Sequence, residues 1–200
     1  MRPTEEWARW AAAGALGGVL LLVPLACVPA LASPDSCAPP YATPDGPYTV
    51  SNMLKDPPLS SAFSACITVW TCATCAWLRA CGQKRWPILA ALGLLFACTP
   101  TGEKPPTLWE AHTALLGATS LAFLALTSGA TAAAPQSRRR RAAAHRALIV
   151  TWCLLGTAAL TAFELRPNCA PALLVAYGVA ACEVAAAAHL AGFLWDVMAA

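Results

Sequence analysis

The chain has 200 residues, of which 58% are hydrophobic and only 12% are charged, and its mean hydropathy is +0.56. A soluble domain of this length could not bury so much apolar surface in one core, whereas a bilayer accepts apolar spans of about 20 residues each. The net charge is only +3, and no basic domain interleaved with aromatic residues points to nucleic acid. We therefore expect an integral membrane protein whose partners are membrane lipids or other membrane proteins, not nucleic acid.

Six apolar runs follow one another along the chain, separated by segments in which Pro, Gly and charged residues cluster. Because backbone groups in lipid must hydrogen-bond within their own segment, each run is predicted to be a helix. We expect an all-α, polytopic transmembrane helical bundle that forms a single domain over residues 1–200. The predicted spans are residues 9–32, 59–78, 86–101, 107–133, 147–163 and 171–195, with a large loop at 33–58.

The first apolar run has a second interpretation, a signal peptide cleaved after Ala32, which would leave five spans. Two features argue against cleavage. The leader contains Glu5 and Glu6, and the apolar run is longer than the ~7–15 residues of a usual signal core. The prediction therefore keeps six spans.

Basic residues are concentrated in two of the loops. One loop contains Arg79, Lys84 and Arg85, and the other contains Arg146 and a run of four arginines. Basic loops favour the cytosolic side of a membrane. We expect these two loops and both termini to be cytosolic, and loop 33–58 to lie on the lumenal or extracellular side.

The four consecutive arginines, called the arginine run below, are Arg138, Arg139, Arg140 and Arg141. Two roles are open for them. The simpler role is to orient the chain in the membrane. The other is to contact anionic lipid headgroups, to which each basic residue near the surface contributes about 1 kcal/mol.

The ten cysteines are scattered, and most lie in predicted spans, where they act as small apolar residues. Cys37 and Cys169 fall in non-cytosolic loops, where a disulfide between them is permitted. Cys72 and Cys75 form a CxxC inside a span, but no second pair completes a zinc site, so helix packing is the expected role. Cys81, at the cytosolic end of the second span, has a position that suits palmitoylation.

Four ionisable residues lie within the predicted spans: Glu110, His112, Glu183 and His189. Such groups are costly in lipid and usually face the bundle interior or water, although Glu110 lies near enough to the lumenal end to reach the headgroups. His112 lies about 7 Å from the start of its span, and Glu183 lies about 18 Å from the start of its own span. The two residues are therefore expected at different depths in the membrane. Glu183 and His189 are about 120° apart around their helix.

These residues have two open roles, interhelical hydrogen bonding or a functional site, and for either role His112 and Glu183 are expected to face the interior. They lack the compact spacing of metal ligands. We expect no metal and no cofactor.

The order of these features resembles the six-span family of damage-regulated autophagy modulators and GPI-anchor lipid-remodelling membrane proteins. The family's segment before its second span resembles "YTVSNMLKDPPLSSAF". Its third span, lumenal hairpin and His-led fourth span resemble "LGLLFACTPTGEKPPTLWEAHTALLGATSLAF". The segment "HRALIVTWCLL" is similar to its entry to span five, and "LLVAYGVAACEVAAAAHLAGFLWDV" to its last span. By this resemblance His112 corresponds to a family histidine, and Cys182 with Glu183 to a Cys-Glu pair.

The resemblance implies a protein of the endomembrane system (lysosome or Golgi) or of the plasma membrane. Because no catalytic motif is recognisable, we predict a non-enzymatic multi-pass protein that regulates autophagy, membrane traffic or membrane-lipid organisation. One alternative is an enzyme that remodels GPI anchors or phospholipids, with His112 as general base supported by Glu183. Another is a small proton-coupled transporter in which Glu183 and His189 relay protons.

Overall fold

The computed structural model describes residues 3–31, 54, 58–99, 106–130, 135–165 and 172–198. Its regular structure is entirely helical over these residues, which confirms the predicted all-α bundle. In chain order the helices are α1 (Pro3–Leu31), α2 (Leu59–Ala80), α3 (Trp86–Cys98), α4 (Pro106–Ala130), α5 (Gln136–Leu165) and α6 (Ala172–Val197).

Four of the described helices, α1, α2, α4 and α6, are long and apolar enough to cross a membrane. Helix α3 is apolar but has only 13 residues, about 20 Å of helix, which is less than the ~30 Å of a hydrocarbon core. Helix α5 begins with the arginine run, and the apolar residues 147–163 follow it. The structure therefore supports an integral membrane protein, and it supports four of the six predicted spans by length and composition.

The turn between α2 and α3 is short because a glycine ends α2. Gly82 has a φ of 74°, in the left-handed region that glycine adopts at little cost. Its N–H donates to the Arg79 carbonyl at 3.0 Å, and the Gln83 N–H donates to the Leu78 carbonyl at 2.9 Å. This pair of bonds is a Schellman motif and satisfies carbonyls that the helix end would otherwise leave unpaired. Pro87 then lies in the first turn of α3, so the two helices form a tight hairpin.

Neighbouring helices are mostly consecutive in the chain. Helix α1 packs on α2 and α6, α2 packs on α3, α3 on α4, and α5 on α6. Phe123 of α4 lies at the centre, with its ring 5.4 Å from that of Trp70 on α2 and 5.8 Å from that of Phe193 on α6. These rings link α2, α4 and α6 within the core, to which α1 adds buried residues such as Ala12 and Leu16.

Basic residues are concentrated at one end of the bundle. The ring of Trp10 near the start of α1 is 4.8 Å from that of Trp195 near the end of α6. Arg141 near the start of α5 pairs with Asp196 on α6, and Gly129 at the end of α4 lies beside the α2–α3 turn. We call this side the arginine-rich end. It comprises the starts of α1, α3 and α5 and the ends of α2, α4 and α6.

Candidate functional site

The arginine run occupies the first turns of α5. Arg138 is half-buried, and Arg139, Arg140 and Arg141 are exposed. Helix α5 has no acidic residue in its first turn, although the N-terminus of a helix favours negative charge. Like charges three residues apart on a helix also repel each other, as Arg138 and Arg141 do here. The local electrostatics therefore favour a bound anion at this helix start.

A single carboxylate on α6 lies among these basic groups. The Arg141 Nε–H donates to Asp196 Oδ1 at 3.1 Å, and His145 Nε2 is 3.7 Å from Asp196 Oδ2. The Asp196 side chain is 11% exposed, whereas the Arg141 side chain is 62% exposed. Asp196 therefore anchors the start of α5 to the end of α6, and most of Arg141 remains accessible from outside.

Two histidines meet next to this ion pair. His145 Nδ1 on α5 and His189 Nδ1 on α6 are 3.2 Å apart. Only one of the two nitrogens can donate while the other accepts, so the pair is hydrogen-bonded when at least one ring is neutral. Gly192 leaves room for the His145 ring, because a Cβ atom at Gly192 would lie 2.6 Å from His145 Cε1. Sequence reasoning had associated His189 with Glu183 on its own helix, whereas the structure places His189 against His145.

Sequence reasoning also missed Asp196 and His145 as site residues, although the spacing held a signal. His189, Gly192 and Asp196 are separated by three and then four residues, which places them on one face of α6. Arg141 and His145 are four residues apart on one face of α5. Because Arg141 lies near the start of α5 and Asp196 near the end of α6, a pairing of these opposite charges predicts antiparallel helices.

Aromatic residues surround the arginine-rich end. The guanidinium carbon of Arg9 lies 3.4 Å from the centre of the Trp195 ring, a cation–π contact between α1 and α6. Trp7 and Trp10 are largely exposed. Tryptophan is enriched at membrane–water interfaces, so their exposure is consistent with a headgroup-level position for this end.

His112 lies near the opposite end of the bundle. It is 2% exposed, which confirms its predicted interior position, and its ring is 4.7 Å from that of Phe96 on α3. His112 Nδ1 is 3.2 Å from the carbonyl oxygen of Thr99. A carbonyl only accepts, so this bond requires a proton on Nδ1, and in the neutral ring the lone pair is then on Nε2.

An open groove of about 360 Å³ lies beside Thr99, between the start of α2 and the end of α3. Its lining includes the hydroxyl groups of Ser60, Ser61 and Ser64 and the thiol of Cys98. No carboxylate is among the described residues that line it. The described lining of the groove therefore offers hydroxyl and thiol groups near a buried histidine.

The other predicted site residues are placed differently. Glu183 is half-buried and lies close enough to Cys153 of α5 to interact with it electrostatically, whereas the contacts described for His112 are with α3. The side chain of Glu110 and both members of the predicted Cys37–Cys169 disulfide lie outside the described residues. Where the structure describes the chain, no group of three or more His, Cys, Asp or Glu residues is arranged to hold a metal ion.

No protein-family model, curated protein or solved structure matches this chain. The resemblance to the autophagy-modulator and GPI-remodelling family therefore stays a prediction that rests on short motifs.

Proposed function

We propose that this chain is a non-enzymatic, multi-pass membrane protein that organises anionic lipids around its arginine-rich end. The observation that carries the proposal is the arginine run at the N-terminus of α5, in which Arg139, Arg140 and Arg141 are exposed. Four positive charges there oppose the helix dipole and repel one another, so local helix stability does not explain them. Lipid phosphates offset both effects, because they bind helix N-termini and pair with guanidinium groups.

The charge balance at this end supports the same function. The described basic residues outnumber the acidic residues by nine to three. The basic residues are the four of the arginine run with Arg9, Arg79, Lys84, Arg85 and Arg146, and the acidic residues are Glu5, Glu6 and Asp196. Such an excess attracts the anionic lipids of a membrane surface and is screened by salt.

The family resemblance adds a cellular setting to this proposal. It points to membrane traffic or autophagy in the endomembrane system or at the plasma membrane. The basic loops separately favour a cytosolic position for the arginine-rich end. Anionic lipids are concentrated in the cytosolic leaflet, so that orientation would place the arginine run where its ligands are.

Lipid binding by reconstituted protein tests the proposal. In nanodiscs of phosphatidylcholine with a minor fraction of phosphatidylserine, native mass spectrometry counts the phosphatidylserine molecules that remain bound. Replacing Arg139 and Arg140 with glutamine is expected to weaken phosphatidylserine binding by about 30-fold, at ~1 kcal/mol for each of the two charges. The wild-type binding should also weaken as salt is raised.

A matched control is Lys84→Gln with Arg85→Gln, which removes two exposed charges from the same end but leaves the arginine run intact. Because Lys84 and Arg85 lie outside the N-terminus of α5, this control should weaken binding less than the arginine-run variant does. Equal losses in the two double variants, or binding that salt does not change, would contradict a specific role for the arginine run.

A second candidate function is favoured by the geometry of His112. Its Nδ1–H bond to Thr99 places the lone pair on Nε2, as a general base requires, and the serine-lined groove lies beside Thr99. These features are consistent with remodelling of lipids at the opposite end of the bundle. Here His112 would accept a proton from a hydroxyl group. The lipid acyl composition of cells that carry the His112→Ala variant distinguishes this function from the organisation of anionic lipids.

A further inference from the structure

A second groove, of about 310 Å³, runs along α2 and α3 toward the arginine-rich end. Its walls include Cys72 and Ala76 on α2 and Ala90 and Leu94 on α3. Arg79 is the charged residue among the described lining residues, and it lies at the groove's end near the α2–α3 turn. The volume is at the lower end of the ~300–1,000 Å³ typical of ligand sites.

The groove has a structural cause. Thr71 and Gly93 bring α2 and α3 into close contact at its inner end, because a Cβ atom at Gly93 would lie 2.4 Å from Thr71 Oγ1. Toward the arginine-rich end the facing side chains include the small Cys72, Ala76 and Ala90, which leave the space between the helices unfilled.

The groove opens to the outside of the bundle. Cys72, Ala76 and Leu94 are exposed, and Leu94 is 40% exposed. Thr71 and Arg79 are eight residues apart, about 12 Å along α2. This length is close to the ~15 Å of hydrocarbon in one leaflet. An apolar groove of this length, open to lipid, matches part of one acyl chain.

We propose that this groove holds one acyl chain of an anionic phospholipid, whose phosphate binds Arg79. The hydrocarbon of the leaflet surrounds the apolar part, and the guanidinium at the groove's end pairs with a phosphate by charge-assisted hydrogen bonds. The site uses α2 and α3 and none of the arginine run. It rests on the proposed function and deepens it, because Arg79 is one of the basic residues at the arginine-rich end. The Arg79 variants test this site apart from the arginine run.

A photoreactive phosphatidylserine probe, with the reactive group on its acyl chain, tests this site in phosphatidylcholine nanodiscs that hold the full-length protein. The probe is expected to crosslink to peptides of α2 or α3. Arg79→Gln should lower this crosslinking about fivefold, the effect of losing one basic contact at an anionic surface. Ala76→Phe should lower it at least as much because the ring fills the groove, whereas Arg79→Lys should preserve it.

Ala125→Phe is the matched control, since Ala125 is an exposed alanine on α4 away from the groove. It should leave crosslinking to α2 and α3 unchanged. Thermal unfolding of each variant identifies any loss of crosslinking that is due to misfolding. The Arg79→Gln result does not depend on whether the bulkier Ala76→Phe variant folds.

Several outcomes would overturn the proposal. Unchanged crosslinking in both Ala76→Phe and Arg79→Gln would show that the probe does not occupy the groove. A loss in Ala76→Phe alone would assign the groove to an uncharged lipid, and a loss in Arg79→Gln alone would place the chain elsewhere. A hydroxylamine-sensitive acyl group on the exposed Cys81, found in purified protein, would replace the phospholipid with a covalently attached chain.

Discussion

Replacing Gly93 with alanine is expected to destabilise the bundle by about 1–3 kcal/mol, the usual cost of overpacking a tight interface. The added Cβ atom would lie 2.4 Å from Oγ1, 2.7 Å from Cγ2 and 3.1 Å from Cβ of Thr71. Thr71 is 1% exposed and β-branched, so it has few rotamers with which to avoid the contact. Helices α2 and α3 would have to move apart, which thermal unfolding in detergent should register as a lower midpoint.

Gly117→Ala is the matched control, because no atom lies within 4 Å of a Cβ atom at that helical position. Gly117→Ala should leave the stability of the protein unchanged, or raise it by up to about 1 kcal/mol because alanine has the higher helix propensity. Adding Thr71→Ala to Gly93→Ala should recover part of the loss, since it removes the two nearest atoms. A Gly93→Ala protein as stable as the wild type would show that α2 and α3 are not packed so closely.

Replacing Asp196 with alanine is expected to lower stability by about 2 kcal/mol. The substitution leaves Arg141 and His145 without the carboxylate that lies 3.1 and 3.7 Å from them, in a region already rich in positive charge. Losing one partner of a buried pair costs about 3–5 kcal/mol. Here the cost is smaller, because the Arg141 side chain is 62% exposed and can be solvated by water.

Glu6→Gln provides the control for this prediction, because it removes an exposed acid from the same end of the bundle. It should change stability by less than about 0.5 kcal/mol. A double-mutant cycle with Arg141→Gln isolates the pair, and its coupling energy should favour the intact Arg141–Asp196 contact. A coupling energy of zero would mean that Asp196 does not join α5 to α6.

The helices could largely be predicted from the sequence, because apolar runs bounded by Pro and Gly have few alternatives in a membrane. The fifth helix was predicted only over residues 147–163, yet α5 begins at Gln136. Apolar runs indicate only the part of a helix that lies in lipid, whereas the arginines and alanines that precede residue 147 are themselves good helix formers. The helix therefore continues past the end of its apolar part.

The candidate site was less predictable than the fold. The burial of His112 follows from the cost of a polar group in lipid, and it was predicted correctly. The pairing of His189 with His145 was not predicted, because it depends on which helices are neighbours and on their relative height. Gly192 contributes only by having no side chain, so its role becomes visible only when the facing His145 ring is known.

The most direct test of whether the chain organises anionic lipids without catalysis uses cells that lack the protein. Comparative lipidomics and GPI-anchor analysis measure their lipid composition, and a fluorescent phosphatidylserine-binding probe shows where phosphatidylserine lies. If the chain organises anionic lipids without catalysis, the acyl composition of phospholipids and GPI anchors should match that of parental cells. The distribution of phosphatidylserine among membranes should change, and wild-type protein should restore it where the Arg139→Gln, Arg140→Gln variant does not. An altered anchor or phospholipid acyl composition, restored by wild-type protein but not by His112→Ala, would contradict the account and identify a lipid-remodelling enzyme.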